Sequence, residues 1–166
     1  MARTVDHISD GRLILGIGSG WFEKDYQEYG YEFGTAGGRL DALAEALPRI
    51  ESRWSRLNPP PTRRIPVLIG GGGEKKTLRL TAQHADIWHS FSDADTLKRK
   101  LGILGEHCAA VGRDPADIEI SVMGKAGLRD EMYEIGARLF TVHVGGPSPD
   151  LSELRDFLAW RDKLNA

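Results

Sequence analysis

The sequence holds a single cysteine, Cys108, which excludes an internal disulfide and fits a reducing compartment. No apolar run approaches the ~20 residues needed to cross a bilayer. The opening residues, Met1-Ala2-Arg3-Thr4-Val5-Asp6-His7, lack the apolar core of a signal peptide. An excess of one charge is also missing: 22 Lys and Arg stand against 24 Asp and Glu, for a net charge of −2. That balance supplies neither a basic surface for nucleic acid nor an attraction to acidic membranes. There is no repeat and no low-complexity tract. No spacing among the five histidines, Cys108 and the carboxylates suits a metal ion. These absences lead us to expect a cytoplasmic protein without nucleic-acid, membrane or metal partners.

Glycine is what the chain has in quantity. Its 20 glycines gather at the ends of predicted strands rather than in linkers. The stretch Ile65-Pro66-Val67-Leu68-Ile69-Gly70-Gly71-Gly72-Gly73-Glu74-Lys75-Lys76-Thr77-Leu78 organises the rest. Its β-branched and aliphatic start reads as a buried strand. Four glycines break that strand, and a helical pattern runs from Glu74 to His84 with Leu78, Leu80, Thr81 and Ala82 on its apolar side. Strand, glycine turn and helix N-terminus together suit a phosphate, because bare N–H groups point outward and glycine allows close approach. Lys75 and Lys76 would sit in the first turn, where cations oppose the helix dipole unless an anion is bound. A turn needing positive φ explains one glycine; four in a row favour an anion site.

In chain order, residues 1 to 9 read as the tail of a helix, closed by Ser9-Asp10-Gly11. Residues 12–18 form a continuous apolar strand, the pattern of a parallel strand covered on both faces. It ends in a second glycine-rich turn, Gly18-Ser19-Gly20-Trp21. After an aromatic loop, residues 39–57 form an amphipathic helix with Pro48 inside it, which should kink it or remove a hydrogen bond. Strands follow at 65–70, 85–90, 118–123 and 138–144. The helix after Ser90 takes Ser92 as its N-cap and buries Leu97, Leu101, Leu104, Cys108 and Val111. The last helix starts at Ser148-Pro149-Asp150. Strands alternating with helices call for one parallel α/β sheet, either doubly wound or a (β/α) barrel, and both place ligands at the carboxyl ends of strands. The Gly-x-Gly after the first strand lacks the third glycine and the later acidic residue of a dinucleotide fingerprint.

Few side chains suggest chemistry by themselves. Glu23 and Asp25 follow the first glycine turn and read as solvated loop carboxylates, with proton transfer near a ring as the other option. His89 ends a strand on the ligand face and suits a contact or a structural role equally. His84 and His143 read as structural, and Cys108 and Trp88 as core. Ser19 has no nucleophile-elbow pattern, and no catalytic residue is assigned.

Several segments in order resemble the luciferase-like flavin and deazaflavin oxidoreductases. They are Asp10-Gly-Arg-Leu-Ile-Leu-Gly-Ile-Gly-Ser-Gly-Trp21, Arg39-Leu-Asp-Ala-Leu-Ala-Glu-Ala-Leu47, the 65–80 stretch and Ala85-Asp-Ile-Trp-His89. The branch using the deazaflavin coenzyme F420 is the most similar. The resemblance implies a single domain over residues 1–166: a (β/α)8 TIM-barrel type with about five βα units, similar to strands four to eight. It implies hydride transfer between F420, or FMN as the alternative, and a small organic substrate, or else activation of oxygen by reduced FMN. A non-catalytic half-barrel that keeps the phosphate loop and pairs with another chain is the competing reading. The resemblance places the phosphate on Gly70, Gly71, Gly72, Gly73, Glu74 and Lys75, and the ring or ribityl chain beside Gly18, Ser19, Gly20 and Trp21. A full barrel takes ~250 residues. Five strands leave an unpaired edge, so a homo-oligomer or a complementing chain is expected.

Overall fold

Five short strands line up in chain order in one parallel sheet, β1-β2-β3-β4-β5, in a computed structural model that describes residues 1–166. The elements are α1 (Ala2–Ile8), β1 (Leu15–Ile17), α2 (Glu23–Glu28), α3 (Ala36–Trp54), β2 (Val67–Gly70), α4 (Thr77–His84) and β3 (Ile87–Ser90). They continue with α5 (Ala94–Ala110), a 3₁₀ turn (Pro115–Asp117), β4 (Glu119–Met123), α6 (Arg129–Ile135), β5 (Ala137–Thr141) and α7 (Ser152–Leu164).

Side chains alternate across each strand, so every second residue faces the helices. Val67 and Ile69 of β2 meet Leu43 and Leu47 of α3 and Leu80 of α4. Trp88 of β3 and Ile120 and Val122 of β4 meet Leu78 of α4 and Leu97, Leu104 and Cys108 of α5. Asp86 pins the register: its carboxylate accepts from Val67 N at 2.8 Å, and its carbonyl from Glu119 N at 2.9 Å. The intervening residues form the other face in two layers. Gly16, Leu68, Ile87 and Glu119 are in register, followed by Gly70, His89 and Ser121 nearer the carboxyl ends.

Several boundaries differ from the sequence expectation. The ladder at residues 12–18 shrinks to Leu15–Ile17 because β1 is an edge with one neighbour. Only its helix side is covered, and Ile14 on the other side is 41 % exposed. α3 starts at Ala36, where the Thr35 hydroxyl accepts from Gly38 N at 3.0 Å, and it runs through Pro48. α4 starts at Thr77 rather than Glu74. Asp93, not Ser92, caps α5 by accepting from Thr96 N at 2.8 Å. Val111, just past that helix, is exposed. The last helix begins at Ser152 and buries Phe157, leaving Leu158 and Leu164 at the surface. No helix is long and apolar enough to cross a membrane.

Candidate cofactor site

The four glycines leave β2 at Gly70 and form a loop fixed on three sides. Trp88, fully buried, donates from Nε1 to Gly71 O at 2.8 Å, and Gly71 N donates to His89 O. Gly71 has φ +127°, a conformation L side chains rarely adopt. At Gly73 a Cβ would stand 2.8 Å from Thr77 Oγ1. From α5, His107 Nε2 lies 2.8 Å from Glu74 O, and Arg99 pairs with the Glu74 carboxylate at 2.8 Å. That hydrogen bond from Arg99 holds the Glu74 carboxyl below its ordinary range.

What the loop leaves open is its row of amides. The N–H groups of Gly72, Gly73, Glu74, Lys75, Lys76 and Thr77 have no acceptor within the protein. Beside them the Lys100 ammonium fills the space a side chain at Gly72 would take, 2.3 Å from where its Cβ would stand. Lys100 has no carboxylate within ion-pair distance. Successive free amides at a helix N-terminus, with an unpaired cation alongside, form a cradle for an anion. Lys76 is tied to Asp41, while Lys75 and Arg79 are exposed. Lys76 is the N-cap of α4 and Lys75 precedes it, so neither is the first-turn cation set against the helix dipole that the sequence pattern implies.

Gly70 and Gly71 also line a cleft of about 690 Å³, within the usual range for small-molecule sites. Its other walls are Gly16 to Trp21, Leu68, His89 and Phe91. The structure thus brings both sequence-predicted glycine turns to one cleft. Gly20 has φ +75°, and a Cβ there would fall 2.0 Å from Tyr26 Oη. Arg39 closes this side by donating to Gly20 O and Phe33 O while stacking on the Phe33 ring. Trp21 is 82 % exposed and Phe91 71 %, which puts two flat aromatic faces at the mouth. Glu23 and Asp25 lie in α2, outside the cleft lining.

Residues 1–160 match the luciferase-like monooxygenase family. The chain belongs to that family. An uncharacterized Mycobacterium tuberculosis protein is 28 % identical over 128 residues, 67 % of this chain and 44 % of that one. Pyrimidine monooxygenase RutA of Methylobacterium radiotolerans is 32 % identical over 104 residues, 52 % of this chain and 27 % of the relative. Among solved structures, an F420-dependent secondary alcohol dehydrogenase holding an F420–acetone adduct superposes with a TM-score of 0.66 at 20 % identity, covering 74 % of this chain and 42 % of that one. The oxygenating constituent of 3,6-diketocamphane monooxygenase from Pseudomonas putida, in complex with FMN, gives 0.57 at 20 %, covering 74 % and 43 %. This chain therefore spans less than half the length of these relatives. At such identities the superpositions establish the fold: a parallel α/β sheet matching part of a luciferase-like barrel.

Two contributors were out of reach of sequence reasoning. Lys100 lies 28 positions beyond Gly72, and only the packing of α5 on α4 brings it to the loop. Ser121 reaches His89 through strand register alone. Phe91 had a usable signal: an aromatic residue immediately after a strand's carboxyl end.

Proposed function

We propose that the chain holds a flavin-type cofactor for oxidoreduction of a small organic substrate, with the deazaflavin F420 as cofactor and FMN as the alternative. The observation that carries this is the row of free amides from Gly72 to Thr77 beside the unpaired Lys100, in the same loop whose Gly70 and Gly71 line an aromatic-rimmed cleft. When bound, the cofactor supplies hydride transfer. The chain's own residues do the holding. Gly72 to Thr77 and Lys100 take the phosphate, while the Gly18–Trp21 turn and Phe91 flank the ring and exclude water from it. Exposed Lys75 and Arg79 suit a longer anionic tail, which supports F420 over FMN. The Glu74 carboxylate holds α5 against the loop through Arg99, while its main-chain N–H belongs to the amide row.

The cleft contains one histidine and no carboxylate or thiol, which favours a second reading: a cofactor-binding subunit without turnover of its own. Assembly fits either reading. The open edge of β1 and the exposed aromatics suit pairing with a second copy or a complementing chain. Side-by-side fluorescence titrations with F420 and FMN test the cofactor assignment. Tighter binding of F420 is expected; a clear preference for FMN moves the chain to the monooxygenase side, and binding of neither overturns the proposal.

A further inference from the structure

His89 ends β3 on the cleft side of the sheet, in register with Gly70 and Ser121. Only 8 % of it is exposed. Its ring packs edge-on against Phe91 at 4.6 Å between centroids, and its Nδ1 lies 2.8 Å from Ser121 Oγ. Ser121 is completely buried, and its hydroxyl has no other hydrogen-bond partner. A hydroxyl has one proton to donate, and a buried one without an acceptor is costly. The acceptor in reach is Nδ1, so Ser121 donates and His89 accepts. A neutral imidazole that accepts at Nδ1 carries its proton on Nε2. Burial also disfavours protonating the ring, which favours the neutral form. Nε2 has no partner within the protein and is not among the side-chain atoms sealed from solvent.

We infer that His89 Nε2–H is a specificity-determining donor in this cleft, reading an acceptor such as a ring carbonyl oxygen on a planar heteroaromatic cofactor, with Ser121 fixing the tautomer. The assignment rests on the cleft being the cofactor site. Deazaflavin and flavin rings share the acceptor chemistry, so both are titrated. A ring that offers only a donor at this edge is rejected, because the Nε2–H would then face another hydrogen.

Two measurements on the full chain test the assignment. Nitrogen-15 spectra of the imidazoles, taken without cofactor, are expected to show His89 protonated at Nε2, with the preference weakened in Ser121→Ala. Protonation at Nδ1 in the wild type overturns the inference. Titrations with F420 and FMN then compare the wild type with His89→Gln, which keeps an N–H donor, and with the double variant His89→Phe/Ser121→Ala, which removes the donor without orphaning the hydroxyl. The double variant is expected to bind about tenfold more weakly, and His89→Gln to recover most of that loss. Equal affinity for wild type and double variant overturns the donor assignment and leaves the cofactor reading standing. A wild type that binds neither ligand overturns both.

Discussion

At the scale of single residues, Lys100 is the group whose role is most open to measurement. Its ammonium lies against the glycine loop without a carboxylate partner, so a bound phosphate would be its counter-charge. A hydrogen bond to a charged group contributes about 1.5–3 kcal/mol. Lys100→Gln is therefore expected to weaken cofactor binding by about ten- to a hundredfold while leaving the melting temperature nearly unchanged, since the side chain makes no ion pair in the folded protein. Unchanged affinity would remove Lys100 from the site. His89 gives a second expectation. Burial lowers its pKa from 6.5, so the unfolded chain takes up a proton before the folded one does. Stability from the neutral ring is complete above about pH 6.5 and is lost as pH falls through the lower folded value. Thermal melts from pH 7.5 downward should fall more steeply for wild type than for His89→Gln; parallel curves would contradict a buried neutral ring. The glycines of the candidate site were legible because four in a row exceed what one turn requires. Lys100 and Ser121 were not, because each meets its neighbour only through packing between elements.

At the scale of elements, the helices of the sequence were largely recoverable from apolar spacing, and their ends were set by caps that spacing does not reveal. Thr35 and Asp93 each accept a main-chain hydrogen bond and move a boundary. β1 came out shorter than its apolar run because a ladder forms only where a neighbour exists, and β2 meets it over Leu15–Ile17 alone. Trp88 links core to site, being packed among the helices while its Nε1 holds Gly71 O. Trp88→Phe keeps most of the packing and deletes that hydrogen bond. A loss of about 1 kcal/mol in chemical denaturation is expected, together with weaker cofactor binding as the loop loosens. If stability falls and affinity does not, the loop is positioned by its other contacts.

At the scale of the whole molecule, one face of the sheet is well covered by helices, while on the other Ile87, His89 and Ser121 are buried and the β1 side is exposed. β1 presents an unpaired edge, and Ile14, Trp21 and Phe91 stand exposed on or near the open side. Edges and apolar patches of this kind recruit partners. Light scattering across a dilution series is expected to show association at micromolar concentration, and a stable monomer throughout would mean that the three-residue edge is too short to pair. The central claim, that the glycine loop holds the cofactor's phosphate, is tested most directly by titrating Gly72→Asp against wild type with F420 and FMN. The substitution is compatible with the fold: Gly72 does not have positive φ, and the only atoms its Cβ would meet are the flexible end of Lys100. It puts a carboxylate among the free amides and beside the Lys100 ammonium. Loss of several charge-assisted hydrogen bonds predicts a drop of well over tenfold in affinity for whichever cofactor the wild type binds; a folded variant that binds as tightly as the wild type would contradict the account.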